Sequence, residues 1–364
     1  MTESDFMPGG YVNDMLSGAF TWKAPSNIAL VKYWGKHGNQ LPANPSVSFT
    51  LDHCATITTL RFEKRDKPAE AFGMEVFFEG VINDGFRPKI LGFMERIEPY
   101  LPFLRNYHFT VHTSNSFPHS SGIASSASGM SALALCFMSL ERELSGGMSE
   151  AFFYRKASFL ARLGSGSACR SIGGGLIVWG THKEIPGSSD LYGIGYPGEV
   201  HPVFRGYRDT VLLVDRGKKQ VSSTAGHGLM KGHPFAAQRF LQASSNISEL
   251  IPVLGNGDLR AFIRLVESEA LTLHAMMMTG SPYYMLMQPA TLQVIRKIWE
   301  FREESGCPAC FTLDAGANVH LLYPGEEKKR VMEFINSELV AYCENEQYIC
   351  DRVGEGAFLI NNEE

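Results

Sequence analysis

Residues 118–129 read Pro118-His119-Ser120-Ser121-Gly122-Ile123-Ala124-Ser125-Ser126-Ala127-Ser128-Gly129, and they run directly into Met130, Leu133, Phe137 and Leu140 at helical spacing. A helix opening on small residues leaves its first N–H groups unpaired and carries roughly half a positive charge there. Small side chains let an anion approach the backbone while serine hydroxyls add donors, so one reading is a phosphate cradle. The other is a plain Ser-rich N-cap, since Ser and Gly also favour caps and turns.

Working outward, Val47, Phe49, Leu51, Ile57, Phe77, Tyr107, Phe109 and Val111 lie in β-rich, alternating segments punctuated by Pro68 and Asp84-Gly85, which predicts strands of a mixed sheet. After the first helix, stopped by Gly146-Gly147, Phe153, Ala157 and Leu160 predict a second one opening at Ser149 and closing at Gly164. Around Arg205 to Asp215 a Gly/Pro-rich stretch gives way to a buried strand, Val211 to Val214, and the domain boundary is placed there, between 1–203 and 204–364. From Pro234 to about Glu304 the chain is helical in character. A hairpin then pairs Phe311 and Leu313 with Val319 and Leu321 around Gly316, and the second domain reads as α+β.

Composition narrows the class. At 364 residues, 44% hydrophobic and 20% charged, the chain is long enough for two domains and too apolar to be mainly disordered. A net charge of -5 supplies no general basic field for nucleic acid, so an anionic substrate needs a local basic site. No apolar run approaches the ~20 residues of a membrane span. The N-terminus, MTESDFMPGGYVNDMLSGAF, carries acids and no apolar core region, which reads as a cytoplasmic leader arm. Seven scattered cysteines predict reduced thiols, and Cys307 and Cys310 lack the second C-x-x-C that a zinc site needs. The run Glu326 to Arg330 reads as the solvated start of a helix.

No G-x-x-x-x-G-K-[ST] occurs, and Gly193, Gly195 and Gly198 match G-x-G-x-x-G only with Pro197 inside and His201-Pro202 where a helix should open, so they read as a surface turn. Two further clusters carry chemistry. Gly164-Ser165-Gly166-Ser167-Ala168-Cys169-Arg170-Ser171 joins small residues to one guanidinium, suited to a carboxylate or phosphate or else to a structural ion pair. Asn27-Ile28-Ala29-Leu30-Val31-Lys32-Tyr33-Trp34-Gly35-Lys36 leads an apolar run to a cationic, aromatic end, where Lys36 is either a diphosphate ligand or a surface lysine.

Taken together, A-P-S-N-I-A-L-V-K-Y-W-G-K at 24–36, S-G-I-A-S-S-A-S-G at 121–129 and G-S-G-S-A-C-R-S at 164–171 resemble the diphosphomevalonate decarboxylases of the GHMP kinase superfamily. The resemblance continues through Lys219, Val221, Ser222, Ser223, Thr224 and Gly226 and through Thr312-Leu313-Asp314-Ala315-Gly316-Ala317-Asn318, covering most of the chain beyond the N-terminal arm. It implies an α+β fold of two domains, the first like the second domain of ribosomal protein S5 and the second ferredoxin-like, with the site in the cleft between them. It implies ATP, Mg²⁺ and mevalonate 5-diphosphate, whose 3-hydroxyl is phosphorylated before phosphate and CO₂ leave to give isopentenyl diphosphate. Carried over, Asp314 is the acid/base group, Arg170 grips the substrate carboxylate and Lys36 joins them as a catalytic group. Tyr33, Lys36, Ser165, Ser167, Arg170 and Asn27 contact the substrate. Ser121, Gly122, Ser125, Ser126, Ser128 and Asn115 hold the nucleotide, with Ser125 toward the metal. A homodimer is expected.

The chain departs from the family pattern at His119-Ser120, Ser128, Ala317 and Gly226-His227, none of which removes a catalytic group. The Met-rich stretch from His274 to Met285 reads as core. Relatives acting on mevalonate 5-phosphate, and kinases that phosphorylate the 3-hydroxyl without decarboxylation, share this fold, so fold alone does not choose the substrate. A non-enzymatic binding descendant would be expected to lose the carboxylate or the arginine, and a serine hydrolase lacks its G-x-S-x-G elbow.

Overall fold

The computed structural model describes residues 1–118, 123–217 and 223–360. In the first part of the chain these form β1 (Ser17–Val31), β2 (Ser46–Lys64), β3 (Gly73–Phe78), α1 (Arg87–Ile97), β4 (Tyr107–Asn115), α2 (Ser125–Leu144), α3 (Glu150–Gly164) and β5 (Leu176–Trp179). The long strands β1 and β2 pair antiparallel, with register shifts between Pro25 and Asn27 and between Ala29 and Val31. The other edge of β2 is divided: residues 56–64 pair with β4 and residues 46–49 with β5. Beyond β4 lies β3, parallel to it.

Period-two alternation sets which face is buried. Thr56, Thr58, Leu60 and Phe62 point inward, and Ile57 between them is 40% exposed on the outer face. Onto the inner face pack α1, α2 and α3, so that Leu60, Phe62, Phe109 and Val111 meet Leu133, Phe137, Leu140, Phe153 and Leu160 in one core. The helix boundaries follow local chemistry. Gly146 and Gly147 take φ of +74° and +118°, where residues with a Cβ are strained, and Ser149 caps α3 by accepting from the Phe152 N–H at 3.3 Å. The N-terminal arm joins this core through Phe6, fully buried and stacked 4.2 Å from Phe159.

The second part contains β6 (Arg208–Leu212), α4 (Ala236–Asn256), α5 (Leu259–Met278), α6 (Pro289–Ser305), β7 (Cys310–Leu313), β8 (Val319–Tyr323), α7 (Lys328–Phe334) and β9 (Tyr348–Arg352). Its antiparallel sheet runs β7-β8-β6-β9. The hairpin expected around Gly316 is present, with Phe311 opposite Leu321 and Leu313 opposite Val319. The strand expected at 211–214 lies earlier, because beyond Leu212 the Val214 N–H turns back to the Leu212 carbonyl and leaves the ladder. The Met-rich segment divides: Met276 and Met277 are buried with Trp34 and Leu273, and Met278 and Met285 are exposed.

A further core joins the two parts, where Ile28, Leu30, Val31 and Phe49 of the large sheet meet Ile247, Leu250, Phe262 and Val266 of α4 and α5. The last strand, β10 (Phe358–Ile360), returns to the large sheet and pairs antiparallel with Thr21 to Lys23 of β1. Among the described residues no helix is long and apolar enough to cross a membrane.

Candidate active site

Strand β1 carries its apolar residues into the core joining the two parts and ends at Val31, so Lys32 is delivered to the junction with its side chain only 2% exposed. A buried ammonium needs a partner. It has one in Asp314, just past the end of β7, with Lys32 Nζ 3.3 Å from Asp314 Oδ1. Burial lowers the pKa of Lys32, while Asp314 and then Glu269 work in the opposite direction. Asp314 is 27% exposed, and its backbone carbonyl accepts from His274 Nε2 at 3.1 Å. Arg170, in the short helical turn Gly166–Ser171, is buried near Asp314; one terminal nitrogen donates to Ser46 Oγ, and Nε has no hydrogen-bond partner among the described residues.

Around this pair stand further polar atoms without partners among the described residues. Asn27 donates to Ser171 Oγ at 2.7 Å and to the Ser167 carbonyl at 3.3 Å, leaving its own Oδ1 unpaired. The buried Tyr33 hydroxyl is also unpaired; its ring lies 4.6 Å from Trp179 and 4.2 Å from His227. Buried polar groups are ordinarily hydrogen-bonded, so unpaired ones clustered on converging segments mark a place where a polar ligand completes the set. Ser165 and Ser167 are partly exposed at the mouth of the same turn.

Lys36, read as catalytic and substrate-binding, is half-buried in a small hairpin and donates to Gln40 Oε1 at 2.9 Å. The lysine that meets Asp314 is Lys32, which the sequence reading passed over. Its signal was present in K-Y-W-G-K, but a lysine ending an apolar strand looks like the strand's exposed terminus until the other part of the chain is seen to cover it. His227 was likewise noticed only as a departure. Its Nδ1 accepts from the Gly35 N–H at 3.1 Å, its ring packs on Tyr33 and Trp34, and burial, aided by Lys36 and Arg170, depresses its pKa to about 3. At neutral pH it is an uncharged imidazole carrying its proton on Nε2.

The residues expected on the nucleotide side are brought together differently. Asn115, Ser125 and Ser126 line one cleft of about 100 Å³ with Thr56, Thr113 and Lys89. Lys89, on α1, donates to Ser126 Oγ at 2.6 Å and was not anticipated, because α1 carries no motif. The residue before α2 is Ala124, at φ +44° and with no side-chain cap, so the Ser-rich N-cap reading does not describe this terminus. Ser128 departs from expectation: fully buried, its hydroxyl bonds Thr56 Oγ1 at 2.6 Å inside the helix–sheet contact, and Thr56 in turn donates to Asn115 Oδ1 at 2.8 Å. Ser121 and Gly122, and Lys219, Val221 and Ser222, lie outside the described residues.

Among the described residues no three His, Cys, Asp or Glu side chains group as a metal site. A cavity of about 1100 Å³ between Lys23, Gly174, Arg205 and Phe358 is lined by none of the candidate site residues; Gly195, Gly198, His201 and Pro202, read from the sequence as a surface turn, border it.

Comparison with known proteins agrees with the geometry. Residues 24–191 match the family described as "Diphosphomevalonate decarboxylase-like N-terminal domain", and residues 210–361 match "Mevalonate 5-diphosphate decarboxylase C-terminal domain". A diphosphomevalonate decarboxylase of Ganoderma lucidum is 30% identical over 334 residues, covering 86% of this chain and 80% of that protein. One of Bos taurus is 29% identical over 322 residues, covering 82% and 75%. A solved structure described as "MDDEF in complex with MVAPP, AMPPCP and Magnesium" superimposes with a TM-score of 0.78 at 26% identity, covering 95% of this chain and all of that one. Mevalonate diphosphate decarboxylase of Staphylococcus aureus superimposes with a TM-score of 0.81 at 25% identity, covering 95% and 99%. With both halves matched in order and an aspartate, a lysine and an arginine converging where they meet, the chain belongs to the diphosphomevalonate decarboxylase family.

Proposed function

We infer that this protein converts mevalonate 5-diphosphate to isopentenyl diphosphate and CO₂, with ATP cleaved to ADP and phosphate, through phosphorylation of the 3-hydroxyl. The observation that carries the reading is the Lys32–Asp314 pair beside Arg170, a carboxylate held at a buried cation with a guanidinium N–H nearby that has no partner among the described residues. A tertiary alcohol is a hindered nucleophile and its hydroxide a poor leaving group. Asp314 takes the hydroxyl proton as that oxygen bonds to phosphorus, and the Lys32 ammonium stands where negative charge develops. Arg170 pairs with the substrate carboxylate, while Tyr33, Asn27, Ser165, Ser167 and Lys36 hold the rest of the substrate. The C3–O bond then breaks with its electrons leaving on phosphate, and the C1–C2 pair becomes the new double bond as CO₂ departs.

Asn115, Ser125, Ser126 and Lys89 line the nucleotide side, the family resemblance assigns Ser121 and Gly122 to ATP as well, and the Ser125 hydroxyl would offer an oxygen to the metal. Mg²⁺, when bound, neutralises phosphate charge, and no covalent nucleophile is required because phosphoryl transfer is largely positioning. The lobes 1–203 and 204–364 supply the nucleotide loop and Asp314 respectively. A cytoplasmic homodimer completes the reading, with sedimentation and cell fractionation as its tests. The decisive assay offers ATP with mevalonate carrying no, one or two 5-phosphates and follows ADP and CO₂ separately. Both products from the diphosphate alone are expected. CO₂ from the monophosphate would reassign the substrate, and ADP without CO₂ would make the protein a kinase.

A further inference from the structure

Lys32 lies one residue beyond the last pair of β1, Val31 opposite Val47, so no strand neighbour takes its peptide groups. Two fully buried side chains of the second part of the chain do so instead. Glu269 Oε2, on α5, accepts the Lys32 N–H at 2.8 Å, and Arg239 Nη2, on α4, donates to the Lys32 carbonyl at 3.1 Å, a carbonyl that also accepts from Asn44 Nδ2 at 2.9 Å. The two side chains are paired with each other through both ends, Nη1 to Oε1 at 2.9 Å and Nη2 to Oε2 at 2.6 Å, and Asn246 donates to the same carboxylate. The ion pair therefore acts on Lys32 as a neighbouring strand would. Five residues along α5, His274 holds the backbone carbonyl of Asp314. One helix thus grips the main chain on both sides of the Lys32–Asp314 contact.

The geometry assigns Glu269 and Arg239 as positioning residues: by holding the Lys32 peptide against α5, which also holds Asp314, they set the separation of the ammonium and the carboxylate. A fully desolvated ion pair is weak evidence of stabilisation, since apolar residues of similar volume often serve the fold as well. This pair is placed where no apolar pair could replace it, because the buried Lys32 N–H needs the acceptor that Glu269 supplies, even though Asn44 also serves the carbonyl. The catalytic half of the assignment rests on the reaction inferred above; the structural half does not.

The double variant Arg239→Met/Glu269→Leu separates these. A second buried pair, Lys156 with Glu141, lies in the core under α2 and α3 away from the site, and Lys156→Met/Glu141→Leu serves as the control. Two readouts are taken on each full-length protein. The first is hydrogen exchange at the Lys32 amide, which needs no turnover. The second is kcat with the dissociation constants of ATP and mevalonate 5-diphosphate. The Arg239/Glu269 variant is expected to lose Lys32 amide protection and about 100-fold in kcat, the scale of an ångström-sized misplacement, with both dissociation constants within threefold. The control is expected to change neither readout, whatever its melting temperature does. Glu269→Asp, which keeps the charge and shortens the reach by one methylene, should recover part of both and stands in if the double variant fails to fold. Retained amide protection with full kcat in the Arg239/Glu269 variant, or an equal loss of kcat in the control, overturns the assignment. Lost protection with no wild-type turnover of mevalonate 5-diphosphate overturns the reaction and leaves the structural hold standing.

Discussion

Asp314 presents a carboxylate with one oxygen 3.3 Å from a buried ammonium and more than a quarter of its side chain open. Positioned acid/base groups contribute ~10²–10⁴ in rate, so Asp314→Asn should lower ADP and CO₂ formation by at least that range and leave substrate affinity within about tenfold. Unchanged turnover in steady-state assays would remove it from the reaction. Arg170→Ala should harm turnover far more than ATP affinity; an effect seen only in ATP titrations would move Arg170 to the nucleotide. Lys32 carries a pH consequence. Burial lowers its pKa and Asp314 offsets this only in part, so its proton is lost below the ordinary ~10.4 of a lysine. The unfolded chain binds that proton more tightly, so stability rises with pH between the folded and unfolded pKa values. Activity moves the other way: kcat should decline on the alkaline side before pH ~10, and a flat kcat–pH profile through that point would show that its charge is not required.

At the scale of elements, the turn Gly166–Ser171 is set by close approach. A Cβ on Gly166 would stand 2.8 Å from the Tyr33 hydroxyl and 2.9 Å from the Trp179 ring, too near for either to stay in place. Gly166→Ala should therefore fold, displace Tyr33 and raise KM for the phosphorylated substrate by about tenfold or more, equivalent to roughly 1.4 kcal/mol. Calorimetric titration showing native substrate affinity would count against Tyr33 as a ligand. The helices at 125–144 and 150–164 were legible because periodicity, a glycine pair and a serine cap act over a few residues. The role of α5 was not. Its Glu269 and His274 sit on a helix whose pattern announces only burial, and their partners are 237 and 40 residues away in sequence.

Across the whole molecule, the two parts of the chain are tied by backbone as well as by apolar contact. The buried Asp351 carboxylate on β9 accepts the N–H groups of Asp52, His53 and Cys54 at 2.9, 2.9 and 2.7 Å. Each N–H left unpaired costs about 1–3 kcal/mol, and an amide offers one acceptor oxygen where the carboxylate has two, so Asp351→Asn should cost roughly 2–4 kcal/mol in chemical denaturation. A loss under 0.5 kcal/mol would mean that water or rearrangement replaces those bonds. Most strands, the helix periods and the glycine-dependent turns were legible in the residues alone, and K-Y-W-G-K, G-S-G-S-A-C-R and the segment ending in Asn318 pointed to the family and to Asp314 and Arg170 as its candidate residues. These are properties of residues close in the chain, where sterics and periodicity act directly. Only the tertiary structure decided that Lys32 meets Asp314, that Lys36 turns to Gln40, that Ser128 is spent on Thr56, and that β10 closes the first sheet from the far end of the chain. Each depends on which buried charge or hydroxyl finds its partner across a packed interface, and that is settled by the assembled core, not by spacing along the chain.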